Sequence, residues 1–183
     1  GANVAVGDAA TSYALGSAID LAGPWSVIIR CRVGATSGSN GMVFGNAGYD
    51  NFLWLRQAAG LVAMTIDAAA GSVNPSASVT AMTTWGMVFN SGVLTVYKDG
   101  TSIGTSTFTG PGHLKITKLL SGYMSGQYAF DGTFECANVI PSALTAGDIT
   151  TRTANPYGVL DVGTGTDANF AITSDDATFS GGG

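Results

Sequence analysis

Apolar residues recur at every second position over most of the chain, and turn residues interrupt them about every eight to twelve positions, which predicts an antiparallel all-β sandwich or barrel. From Trp25 the stretch WSVIIRCRV puts Trp25, Val27, Ile29, Cys31 and Val33 on one face and Ser26, Ile28, Arg30 and Arg32 on the other. That is a half-buried strand with two arginines on its outer face. Strands of the same kind are predicted over 41–45, 51–56, 60–66, 84–90, 93–98 and 101–108. Asn90-Ser91-Gly92 and Asp99-Gly100 separate the last three, and such dipeptides supply the positive φ of tight hairpins, so a three-strand meander is expected. Two further strands fit 113–120 and 130–140. Thr145 then reads as a helix N-cap with Asp148 at the third helical position, giving one short helix to about Arg152, closed off by Pro156. The short runs VLDV, NFAIT and ATFS beyond it are strand material.

Composition narrows the chemistry. The chain has 183 residues, enough for one domain spanning 1–183. Charged residues make up 10% of it, against about 25% in an ordinary globular protein. The net charge is -5 and the seven cations are scattered, which excludes nucleic-acid binding through phosphate neutralisation. There is one His (His113), one Glu (Glu135) and two Cys (Cys31, Cys136) without metal-ligand or redox spacing, so neither a metal nor a cofactor is expected. The cysteines read as small buried residues, and a disulfide between them requires neighbouring strands. No apolar run is long enough to span a membrane. Nothing at the N-terminus reads as a signal peptide, so the expectation is a protein made in a host cytoplasm, with an extracellular one as the alternative.

Three stretches carry a resemblance. Residues 13–33 (S-Y-A-L with A-I-D-L-A-G-P-W-S-V-I-I-R), residues 83–100 (T-T-W-G-M-V-F-N-S-G-V-L-T-V-Y-K-D-G) and residues 130–149 (F-D-G-T-F-E-C-A-N-V-I-P-S-A-L-T-A-G-D-I) resemble, in order, segments of laminin G-like members of the concanavalin A-like lectin/glucanase superfamily, including its pentraxin branch. The resemblance implies a jelly-roll β-sandwich of two antiparallel sheets, which agrees with the periodicity. It leaves function open, since lectins, glycosidases and virion parts share that architecture.

The glycosidases of that superfamily need two placed carboxyl groups, and a chain with one Glu does not supply their catalytic set, so no enzyme is expected. Asp131 and Glu135 stand about 13 Å apart at strand rise and read as a turn residue and a sheet-edge residue. Asp50 and Asn51 look like half of a pentraxin calcium site, but 113–130 lacks the acidic second half, so the pair reads as an Asx turn. His113, without a second His, Cys or Glu to orient it, reads as a surface or satisfied residue.

The remaining candidates are aromatic. In NFLWLR, Leu53 and Leu55 fit one face and Phe52, Trp54 and Arg56 the other, while Tyr49, Tyr123 and Tyr128 lie in glycine-rich loops. If the leucines are core, the Phe52/Trp54/Arg56 stripe is exposed and serves as a sugar platform or a protein contact. The opposite reading places Trp54 in the core. Two functions are consistent with this pattern. A chain so poor in charge and without a catalytic set fits a bacteriophage virion protein, a capsid decoration or tail-associated module held by other virion proteins or by copies of itself. The alternative is a lectin-like module with a glycan partner.

Overall fold

The computed structural model describes residues 4–6, 13–34, 40–45, 52–56, 61–66, 69–73, 80–110, 112–120, 130, 132–156 and 168–171. In chain order its elements are β1 (Val4–Val6), β2 (Tyr13–Leu21), β3 (Trp25–Val33), β4 (Asn40–Gly45), β5 (Phe52–Arg56), β6 (Leu61–Ile66), β7 (Ala69–Val73), β8 (Thr83–Asn90), β9 (Val93–Lys98), β10 (Thr101–Thr107), β11 (Leu114–Leu119), β12 (Gly132–Ile140), α1 (Ala146–Ala154) and β13 (Ala168–Ala171). They form two antiparallel sheets in a jelly-roll sandwich. The first has the order β1-β12-β3-β8-β9-β10, with β13 also on β12, and the second the order β2-β11-β4-β5-β6-β7.

The meander is β8-β9-β10. Ser91 and Gly92 have φ of 51° and 79°, and Asp99 and Gly100 have 47° and 83°. Positive φ at both central residues is the twist that matches two-residue loops to right-handed strands. β7, the sequence AAGSV, was not among the predicted strands, because small residues of mixed character carry no alternation. Asn169–Ala171 of NFAIT fall in β13, and the rest of that run, with VLDV and ATFS, lies outside the described residues.

Trp25, Val27, Ile29, Cys31 and Val33 are all buried between the sheets, as the alternation in β3 requires. The other face of β3 departs from expectation. Ile28 is buried there too, with Val88, Ile140 and Ile149 of α1 in a second apolar cluster. Gly86 makes room for this helix, since a Cβ there would stand 3.1 Å from Ile149 Cγ2. Ser26 is fully buried, and its hydroxyl donates to the Ser142 carbonyl (2.8 Å) and accepts from the Leu144 amide (2.9 Å). Thr145 and Asp148 form the capping box that starts α1. Hydrogen bonds from Thr145 hold the Asp148 carboxyl below the usual aspartate range. Its contribution is therefore present above the ordinary aspartate pKa and lost as pH falls through the lowered one.

The sheets are tied where the chain crosses between them after β10. Trp25 Nε1 donates to the Gly112 carbonyl at 2.9 Å. The Trp25 ring stacks on Phe89 (centroids 5.3 Å apart, planes at 12°), and Phe89 meets Phe108 edge-on. Gly112 has φ +74°, and a Cβ there would lie 1.8 Å from Phe89 Cε1. Gly112→Ala should therefore cost about 2–4 kcal/mol in urea unfolding, combining left-handed strain with overpacking. Gly23→Ala, where φ is +92° but nothing lies within 4 Å, should cost only the backbone part, about 1–2 kcal/mol.

Candidate functional site

The outer face of the first sheet is covered at one end by α1 and carries charge at the other. Arg30 Nε donates to Glu135 Oε2 at 2.7 Å, and Arg30 Nη1 reaches Thr84 Oγ1 at 3.1 Å. Arg32 Nε donates to Thr133 Oγ1 at 3.0 Å. Glu135 is not the sheet-edge residue that its sequence position suggested. It sits in β12, a strand with partners on both sides, as the inserted residue of a β-bulge between Phe134 and Cys136. The bulge sets Glu135 and Cys136 together opposite Arg30, which brings the carboxylate to the guanidinium.

The second sheet is organised by rows of residues in register. Phe44 and Leu119 are in register and buried, and Leu53 shares their row. Leu55 is fully buried as well. Phe52, Trp54 and Arg56 occupy the alternate positions of β5, in register with Gly45, Met42 and Asn40 on β4 and with Thr65, Ala63 and Leu61 on β6. Beyond β6, Ala70 and Ser72 continue the Phe52 and Trp54 rows on β7. Tyr49, Tyr123 and Tyr128 lie outside the described residues, as do the calcium candidates Asp50 and Asn51.

The placement of the lysines on this sheet was not readable from alternation. Lys115 and Lys118 are three residues apart and would face opposite ways in a regular strand, but the pairing of β11 with β2 shifts between Ile116 and Lys118, where Leu15–Ala18 of β2 stand against Thr117 alone. Leu114, Ile116 and Leu119 are all buried, so both lysines take the outer face. Lys118 is in register with Gly45, and through it with Phe52. Asp20 lies opposite Lys115, 3.9 Å from its ammonium, and contacts His113 Nε2. His113 is thus a satisfied surface residue. Among the described residues no group of three His, Cys, Asp or Glu is placed to hold a metal, and no helix is long and apolar enough to cross a membrane.

Residues 7–150 match the family model of the concanavalin A-like lectin/glucanases superfamily, of the laminin G type. The chain belongs to that superfamily. No curated protein matches it in sequence. Among solved structures it is similar to the carbohydrate-binding module of a Ruminococcus gnavus sialidase bound to α2,3-sialyllactose (13% identity, 82% of this chain and 96% of that one, TM-score 0.60). It is also similar to a Bacteroides ovatus protein described as carbohydrate-binding (11% identity, TM-score 0.66), covering 93% of this chain but only 54% of that one. A third similar structure is a heptameric SAP-like pentraxin of Limulus polyphemus (14% identity, 96% and 93% covered, TM-score 0.57). The chain therefore spans about half the length of the Bacteroides protein.

Within this superfamily sandwich the cysteines are structural. β3 and β12 are neighbours, but Cys31 faces the core whereas Cys136, opposite Arg30, lies on the outer face, its Sγ 4.0 Å from the Pro156 carbonyl. Both are free thiols. Burial pushes the Cys136 thiol up to about 11 and that of Cys31 higher still. With so little thiolate at neutral pH, Cys136 should react with a disulfide reagent about a hundredfold more slowly in the folded protein than after unfolding, and Cys31 more slowly still. No intramolecular disulfide should form under oxidation, as non-reducing electrophoresis would show.

Proposed function

We propose that the protein is a noncatalytic carbohydrate-binding module whose ligand face is the outer face of the second sheet, with Trp54 as ring platform. The observation that carries this reading is the register around β5. Leu55 is core, and the parity of the strand assigns Phe52, Trp54 and Arg56 to the other face. Cross-strand neighbours of the two aromatic positions are mostly short: Gly45, Ala63 and Thr65, with Ala70 and Ser72 one strand further. Short cross-strand neighbours are what a platform for a flat sugar requires. β5 is an interior strand of its sheet, which centres the stripe on that face. The loop residues Tyr49, Tyr123 and Tyr128 are proposed as its rim.

The likeness to carbohydrate-binding modules, one described with a bound sialyllactose, supports the same reading. So does the engagement of the chain's sole glutamate, Glu135, by Arg30 on the first sheet, away from the proposed face. Composition favours a second reading. A surface with so few charges suits a protein packed into an assembly, such as a bacteriophage capsid decoration or tail-associated component, and the pentraxin of the same fold is heptameric. The same stripe would then contact a virion partner.

Trp54→Ala tests the assignment of the face. In a glycan-array or titration assay it should abolish sugar binding, a loss of about 2 kcal/mol or more, with unfolding little changed. If the variant unfolds, Trp54 is core and the face is wrongly assigned. If the wild type binds no glycan and Trp54→Ala instead blocks incorporation into particles, the assembly reading replaces this one.

A further inference from the structure

We infer that the glycan taken by this face is anionic, bearing a carboxylate or sulfate group that Lys118 receives. The inference rests on the reading above and adds the chemical class of the ligand.

Charge in this chain is unevenly placed. The net charge is -5, yet the strands of the second sheet carry Lys115, Lys118 and Arg56 against Asp20 alone. The strands of the first sheet have a similar balance, but there each cation is engaged. Arg30 holds Glu135 and Thr84, Arg32 holds Thr133, and the Lys98 ammonium lies 5.9 Å from the centroid of the Trp85 ring. On the second sheet Asp20 is shared between Lys115 and His113. Lys118 is half-buried and, among the described residues, has neither a hydrogen-bond nor an ion-pair partner.

An ammonium held partly out of water without a counter-charge is poised for an anion, because the ligand's charge replaces hydration already lost. Its place is set by the register. Lys118, Gly45 and Phe52 form one cross-strand row, so the lysine stands two strands from Phe52, about 10 Å at ordinary strand spacing, with a glycine between them. Arg56 lies on β5 beyond Trp54, two residues along the same parity. A sugar over the Phe52 and Trp54 positions thus has Lys118 within two strands of it, in the same cross-strand row as Phe52. The register shift between Ile116 and Lys118 is what brings Lys118 to this face, so the arrangement depends on an irregularity in the pairing of β11 with β2 that the core alternation alone does not demand.

The test is titration of the intact chain with lactose, 3′-sialyllactose and sulfated lactose. The anionic sugars should bind about tenfold more tightly than lactose, with an advantage that shrinks as salt is raised. Lys118→Met, which keeps the apolar stem, should bring them down to the lactose level, and Lys118→Arg should retain the preference. Arg32→Met, an equal change of charge on the other sheet, should leave all three affinities unaltered. A preference for one anionic sugar identifies carboxylate or sulfate as the group read. Equal affinity for lactose and its charged forms, or a preference that survives Lys118→Met, overturns the inference while the glycan reading stands. Failure of all three to bind overturns both.

Discussion

The sandwich depends on one hydrogen bond across its interior, from the Trp25 indole to the Gly112 carbonyl. Trp25 begins β3, an interior strand of the first sheet, and Gly112 lies just ahead of β11, an interior strand of the second. Leaving such a buried donor unmade costs about 1–3 kcal/mol. The stack of Trp25 on Phe89, and the absence of a side chain at Gly112, fix how closely the crossover approaches the core. At the surface the same corner is held by Asp20 and His113, which join the edge strand β2 to the residue just before β11. The placement of β11, and with it of Lys115 and Lys118, depends on that corner.

The two sheets use their outer faces differently. On the first, α1 and its flanks bury Ile28, Val88 and Ile140, and Ser26 commits its hydroxyl to the chain leading to the helix. Arg30 and Glu135 satisfy one another beyond the reach of the helix. That face is occupied by structure. On the second sheet no described helix lies across the strands, and the row of Lys118, Gly45 and Phe52 runs through its middle. A glycan face on this sheet is consistent with both the fold and the charges.

Much of the fold was legible because a two-layer β-sandwich imposes period two on its core strands. β3 announced all five of its core residues, and Thr145 with Asp148 announced the start of α1. An inserted residue is invisible to alternation. The bulge at Glu135 and the shift in the β11–β2 register at Thr117 each break the alternation, so Glu135 was misplaced to an edge and Lys118 was missed as a neighbour of the Phe52 row. β7 was missed for a different reason, since AAGSV has no contrast between its faces. For the site, the parity of NFLWLR was readable and Leu55 agrees with it. The partner was not readable, because an exposed Phe/Trp/Arg stripe has the same composition whether it meets a sugar or a protein.

Backbone amide shifts during titration with 3′-sialyllactose would show whether the outer face of the second sheet is the working face. If it is, perturbations concentrate in β4, β5 and β11, around Met42–Gly45, Phe52–Arg56 and Leu114–Leu119, and leave Arg30, Thr84 and Glu135 of the first sheet unmoved. Perturbations confined to the first sheet, around the Arg30–Glu135 pair and α1, would contradict it.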